Sequence, residues 1–261
     1  MELLTILLSS LLSVVSPAGL VIDTVAENAL RSQLERVEQL EVRVDNTPNY
    51  QILQGKVERV RIAGRGLWLT PEMRIDALEL ETDPIDLDIQ SIREGGRESA
   101  AKSLRQPLQA GMRLVLTESD INQALQSPTV MSQLQEIGGR FLRGATEDNE
   151  VKNPRLELLE NQRIRFQMEV RKGETQPVAV IVESGLSVTA GHTLELIEPV
   201  VSIDGNPLPP QLVAGFATGL SNRYNLRSLE DAGIMARLLQ LEISTDKLEL
   251  AAFVRFEPTN N

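Results

Sequence analysis

The sequence predicts an α+β protein: a long, curved, mainly antiparallel sheet wrapped on amphipathic helices, behind an N-terminal apolar segment. Three observations lead there. Runs such as "RIRFQMEVR" and "KLELAAFVRF" alternate apolar and polar residues, as a strand does when successive side chains point to opposite faces. Other runs space their apolar residues by three or four, which is the helical period. The order of elements is helix, strands, helices, strands, helix, hairpin, an arrangement that favours antiparallel pairing.

The chain opens with "MELLTILLSSLLSVVSPAGLVID", uncharged between Glu2 and Asp23. Leu3 to Ile22 matches the roughly 20 residues that span a hydrocarbon core. Three readings stay open for it: a membrane-embedded or interfacial anchor, an atypical signal peptide without a basic start, or a helix packed on the core. From Leu20 to Leu40 the apolar positions Ile22, Val25, Ala29, Leu30, Leu34 and Val37 fall at helical spacing, so one amphipathic helix is expected. Strands follow in "QLEVRVD" and in "KVERVRIAGRGLWL", where Gly64 and Gly66 suggest a bulge or bend. "MRIDALELETDPIDLDI", residues 73–89, reads as a sheet edge or ribbon with an acidic face and an apolar face. Its apolar phase slips between Ala77 and Leu78, which fits a bulge.

Residues 90–111 are polar and glycine-containing, as in a loop with one short helix. Thr117 is a good N-cap, with Glu118 and Asp120 in the first helical turn, where the helix dipole favours acids. That helix presents Ile121 and Leu125. Pro128 starts a second one that presents Met131, Leu134 and Ile137 and stops near Gly138–Gly139. "GATEDNEVKN" reads as a surface connection. "PVAVIVESGLSVTAG" and "TLELIEPVVSIDGN" are strands joined at Gly191–His192, and Asp204–Gly205 is a turn signal. "PPQLVAGFATGLSNRYNL" is a helix lined by Leu212, Phe216, Leu220 and Tyr224. The chain closes in a hairpin around Ser244–Lys247.

With 37 acidic against 26 basic residues the net charge is −11, which argues against a nucleic-acid partner. There is no cysteine, hence no disulfide frame and no thiolate chemistry. Aromatics are only 3% of the chain, so branched and flexible aliphatics must fill the interior; both an acyl-chain site and an ordinary core would have this composition. Signals for catalysis are poor. His192, the only histidine, sits at a turn with no nucleophile or acid placed beside it. "GGRFLRGA" has P-loop glycine spacing but puts Ala145 where the lysine belongs. Glu79 with Glu81, and Asp86 with Asp88, share strand faces and read as a solvated acidic surface facing water. No catalytic residue, metal ligand or cofactor is expected.

"RLVLTESDINQALQS" resembles the LT-x-x-D-hydrophobic-N-x-x-hydrophobic helix start of the LmeA-like phospholipid-binding family. "LQGKVERVRIAGRGL", "IDALELETDPIDLDI" and "KLELAAFVRF" are similar to its neighbouring segments, so the resemblance spans roughly residues 20–257. It implies a non-enzymatic tubular lipid-binding fold that holds phospholipid, in proteins that are membrane-bound or exported to the cell envelope. On this reading residues 1–19 are an anchor or signal-like segment and residues 20–258 a single lipid-binding domain. The expected function is binding or transfer of a phospholipid in an apolar groove near a membrane surface. The alternative is a structural or interaction protein of the same fold with a filled core. The helix stripes Leu30 and Leu34, Ile121 and Leu125, and Leu212, Phe216 and Leu220 are the candidate lipid contacts.

Overall fold

A computed structural model of the chain describes residues 22–46, 49–88, 90, 103–141, 149–172, 176–223 and 225–257. It is α+β with open antiparallel sheets, as the sequence predicts. The strands β1 (Arg36–Asp45), β3 (Arg59–Thr70), β4 (Met73–Thr82), β6 (Leu108–Thr117), β12 (Ile234–Ile243) and β13 (Lys247–Phe256) form a six-stranded sheet. Its order is β1-β3-β4-β6-β13-β12, so the C-terminal hairpin returns to complete a sheet begun by the first half of the chain. A second sheet of five strands, β11-β10-β9-β8-β7, holds β7 (Asn149–Leu159), β8 (Arg163–Lys172), β9 (Val178–Thr189), β10 (Thr193–Ile203) and β11 (Asn206–Pro207). The short strands β2 (Lys56–Val57) and β5 (Ile85–Asp86) pair with each other.

Among the described residues four helices lie against these sheets. Helix α1 (Ile22–Arg31) packs on β1, α2 (Glu118–Leu125) on β4 and β7, α3 (Pro128–Phe141) on β7, and α4 (Pro210–Arg223) on β10. Two apolar clusters result. One joins Ala26 and Leu30 to Leu40, Val42, Val60, Ile62, Ile75 and Leu78 of the six-stranded sheet. The other joins Val213 to Val151, Met168, Val170, Val180 and Val201 of the five-stranded sheet.

Several expectations are corrected. The helix expected over 20–40 ends at Arg31, and Val37 lies in β1. Val37 fits the helical spacing of the preceding residues and, with the alternating run that follows, a strand as well. The pairing of β1 with β3, starting from the Glu35 amide's bond to the Trp68 carbonyl at 2.9 Å, decides for the strand. The 73–82 run is not a sheet edge: β4 is third of six strands. Nor is there a bulge between Ala77 and Leu78, where the register with β3 runs on from Gly64↔Leu78 to Arg65↔Ala77. The change of buried phase from Leu78 to Ile75 occurs opposite Gly66, whose φ of +55° only glycine takes cheaply. Leu67 turns back towards Gly64 there, and Glu38 lies over Gly66 where a Cβ would stand.

"GATEDNEVKN" was expected as a connection, but its last residues open β7. Asn153 (φ +52°) and Pro154 sit at a register shift there and broke the strand pattern in the sequence. Helix α3 runs through Gly138–Gly139 to Phe141. β6 starts at Leu108, inside the expected loop. Residues 1–21, 91–102 and Tyr224 fall outside the described residues, and with them the N-terminal segment and most of the 90–111 loop and its short helix.

Candidate functional site

Register places Gly64, Leu78, Leu114, Leu250 and Leu241 in one row across the apolar face of the six-stranded sheet. Burial changes along that row. Leu78 is 1% exposed, whereas Leu114, Leu250 and Leu241 are only half-buried. The rows on either side are mixed: Leu116 and Leu248 are half-buried but lead to Ile243 at 6% exposure, and Met112 and Leu238 are half-buried on either side of Ala252, also 6% exposed. Helix α1 lies over β1, while at the β6-β13-β12 end the half-buried leucines stand among the buried residues Ile234, Ala236, Ile243, Ala252 and Phe256. A bulge between Leu238 and Gln240 turns Leu239 out to 71% exposure at the edge of this area.

The second sheet behaves similarly. Around Val151, Val170, Val180 and Val201 its apolar face is closed by α3 and α4 through Leu134 and Val213. Towards the β9–β10 turn, Ile164, Leu186, Val188, Leu194 and Leu196 are half-buried. That turn docks on the free edge of β12: the Leu238 amide donates to the Gly191 carbonyl at 2.7 Å. Beside it, the Ile243 amide donates to Gln162 Oε1 at 2.9 Å, from the β7–β8 turn. The half-buried ends of both sheets therefore abut at β12.

Helix α2 makes the other joint, and the motif that suggested the family lies in it. Thr117 caps the helix: its hydroxyl accepts from the Asp120 amide at 3.1 Å, and Asp120 Oδ2 accepts from the Thr117 amide at 3.0 Å. Asp120, 4% exposed, also takes Arg74 through both carboxylate oxygens at 2.9 and 3.0 Å, tying the helix to β4. Burial works against the charge of Arg74, but its bonds to Asp120 and then Asp76 outweigh this and raise its pKa. On the other side Asn122 pairs with the edge of β7 as a strand residue would. Its Oδ1 accepts from the Leu156 amide and its Nδ2 donates to the Leu156 carbonyl, both at 2.8 Å. Glu118 accepts from the Leu158 amide at 2.9 Å, and Gln126 donates to the Pro154 carbonyl at 3.2 Å. Residues 118, 122 and 126 recur every four positions, on one helix face, and satisfy an edge that would otherwise be open to foreign strands. The motif residues thus build the frame.

The candidate lipid contacts are spread over the molecule. Leu30 is 3% exposed in the first cluster, and Leu34, beyond the end of α1, packs against that cluster. Ile121 and Leu125 are half-buried on α2. On α4 the buried residue is Val213, with Phe216 and Leu220 half-buried and Leu212 54% exposed. The inward face of α4 is therefore rotated by one residue from the stripe expected at Leu212. Sequence reading missed the β6, β13 and β12 leucines as a group because only register brings them into rows.

The opposite face of the six-stranded sheet is charged. Depressions of about 500 and 620 Å³ lie there between long side chains, over the small residues Ala63 and Gly111 in the first and Ala63, Gly64 and Ala77 in the second. Their rims are ion-paired. Arg113 reaches Glu249 at 2.7 Å and Glu79 at 3.3 Å. Glu249 is held below the usual carboxylate range by Lys247 first and Arg113 second. Asp86 and Asp88 both face Arg105, at 3.5 and 3.6 Å. Among the described residues no group of His, Asp or Glu is placed to hold a metal ion. His192 lies at its turn with Nδ1 on the Thr193 hydroxyl at 2.9 Å.

Compared with known protein families, residues 14–253 match the LmeA-like phospholipid-binding family. The chain belongs to that family, which supports phospholipid binding and, in general terms, association with membranes. No curated protein and no solved structure matches the chain.

Proposed function

We propose that the protein binds phospholipid non-enzymatically at a membrane surface, and transfers it, with the acyl chains on the half-buried aliphatic area of β6, β13 and β12. The observation that carries this is the row from Leu78 to Leu241, in which leucines of one face pass from full to partial burial. Aliphatic surface left partly in water is the kind of lining an apolar ligand covers. On this reading Ile164, Leu186, Val188, Leu194 and Leu196 extend it on the second sheet, and the half-buried Ile121, Leu125, Phe216 and Leu220 contribute from the helices. Among the described residues no helix is long and apolar enough to cross a membrane. Membrane attachment is assigned to residues 1–19, whose uncharged run suits an anchor or an export signal to the envelope.

A filled core without ligand is the second reading, and the full burial of Leu30 favours it at that position. Organic extraction of the purified protein followed by mass spectrometry separates the two. Stoichiometric phospholipid that is lost in a Leu250→Ser, Leu114→Ser double variant supports the site. Protein that is lipid-free after purification and after incubation with phospholipid vesicles rejects it.

A further inference from the structure

The joint at β12 differs from the joint at α2 in a way that assigns it a task. Helix α2 holds the second sheet through Glu118, Asn122 and Gln126, and is itself anchored by the buried Asp120–Arg74 pair. The edge of β12 is held through the Gly191 carbonyl and the carboxamide of Gln162, both on turns. Next to them the start of the 226–232 turn is tied to β10, by the Leu226 amide on the His192 carbonyl at 2.8 Å and by Asn225 Nδ2 on the Thr193 hydroxyl at 3.2 Å.

Gln162 is an unusual residue for its position. Its φ is +61°, following Asn161 at +60°. Asparagine visits this left-handed region readily and glycine takes it without strain, but glutamine does so at a cost. Glutamine nevertheless offers what glycine lacks, a side chain long enough to reach Ile243, whose residue is 6% exposed on the edge strand. Its own carbonyl meanwhile accepts from Leu186 at 3.3 Å, so the turn stays fixed to the second sheet while the side chain holds the first.

We propose that Gln162 is a latch between the two sheets: when its bond to Ile243 opens, the Gly191–Leu238 contact beside it loosens, the second sheet swings from β12 about the α2 joint, and the half-buried apolar faces that abut at β12 part for lipid exchange. The gating step rests on the lipid reading above; the latch itself does not. Only the acceptor oxygen of Gln162 is used, so Gln162→Glu keeps the latch and Gln162→Leu removes it. Gln162→Gly removes it too while relieving the backbone, which guards against a variant that merely misfolds.

The test follows two rates on the full chain. One is amide hydrogen exchange at Ile243 and Leu238, with Val115 inside the sheet as reference. The other is uptake of fluorescently labelled phosphatidylcholine from phosphatidylcholine vesicles. Loss of one neutral hydrogen bond should speed exchange at Ile243 roughly fivefold in Q162L and Q162G, leaving Val115 unchanged. Lipid uptake should rise by a similar factor in both, and Q162E should behave as the parent. Unchanged Ile243 exchange in Q162L and Q162G overturns the latch. Faster Ile243 exchange with unchanged uptake overturns the gating step. Absence of uptake by the parent and by every variant overturns the lipid reading and the gating step together, and the Ile243 exchange rates then decide the latch alone.

Discussion

Leu78 and Leu250 lie in the same row on the same face of the same sheet, yet one is sealed and the other is only partly buried. The β1-β3-β4 end has α1 over it and its own satellite ribbon, with Val57, Ile85 and Leu87 at 2% exposure or less. The β6-β13-β12 end meets the second sheet edge-on at β12, and α3 and α4 are committed to β7 and β10. The difference shows that the strand pattern determines which face is apolar, while packing from outside the sheet determines how deeply each residue of that face is buried. The partly buried leucines are where a ligand has something to gain by binding.

Substitutions across that boundary should separate the two ends. Leu78→Ala should cost about 3–4 kcal/mol, as for a sealed leucine that leaves a cavity. Leu250→Ala should cost about 1 kcal/mol, because less area is removed from water and the site can relax. Chemical denaturation of both variants checks this, and equal losses would erase the distinction. In lipid-loaded protein the gap should narrow, since the ligand then covers Leu250.

Next in size is the boundary itself. Asp120→Ala removes the carboxylate half of the α2 capping box, its bond to the Thr117 amide, and leaves Arg74 with Asp76 and a distant Glu38, for a loss of about 2–3 kcal/mol. Asn122→Ala should cost about 1–2 kcal/mol, because two backbone groups of Leu156 lose their partner. It should also promote self-association through the freed β7 edge, seen as concentration-dependent light scattering.

Much of the frame was legible in the sequence, because period-2 and period-3.6 patterns are local. β8, β9, β10, the closing hairpin and helices α2 and α4 lie where their patterns put them. The misses are non-local. Val37 suited both the helical spacing before it and the alternation after it, and only pairing with β3 chose between them. β7 was hidden by Pro154, which an edge strand tolerates. The candidate site was the least legible part. Leu114, Leu250 and Leu241 are far apart in sequence and become neighbours through register alone, and the rotation of α4 that turns Leu212 outward depends on its packing on β10. The family motif was legible as a motif, but its role in joining the sheets was not.

The charged face should matter least. The folded-state pKa of Glu249 is lowered, so its pairing stabilises the protein above the ordinary carboxylate range. That contribution should be lost as pH falls through the lower, folded value. Glu249→Gln should therefore flatten the acid limb of the stability profile below about pH 4, the usual carboxylate range. Asp86→Asn and Asp88→Asn should each change stability by no more than about 0.5 kcal/mol, with no response to calcium in thermal melts.

The most direct test is to let a lipid mark the boundary. The protein is incubated with vesicles whose phospholipid carries a photoactivatable group in the acyl chain, irradiated, and digested for mass spectrometry. Adducts should concentrate on the β6-β13-β12 leucines, Leu114, Leu241 and Leu250 among them, and on Leu186 to Leu196 of the second sheet, sparing Leu78 and Val60. Adducts that fall instead on the charged face around Arg43, Arg61 and Arg113, or an absence of adducts at any lipid concentration, would contradict the assignment of the half-buried face as the lipid site.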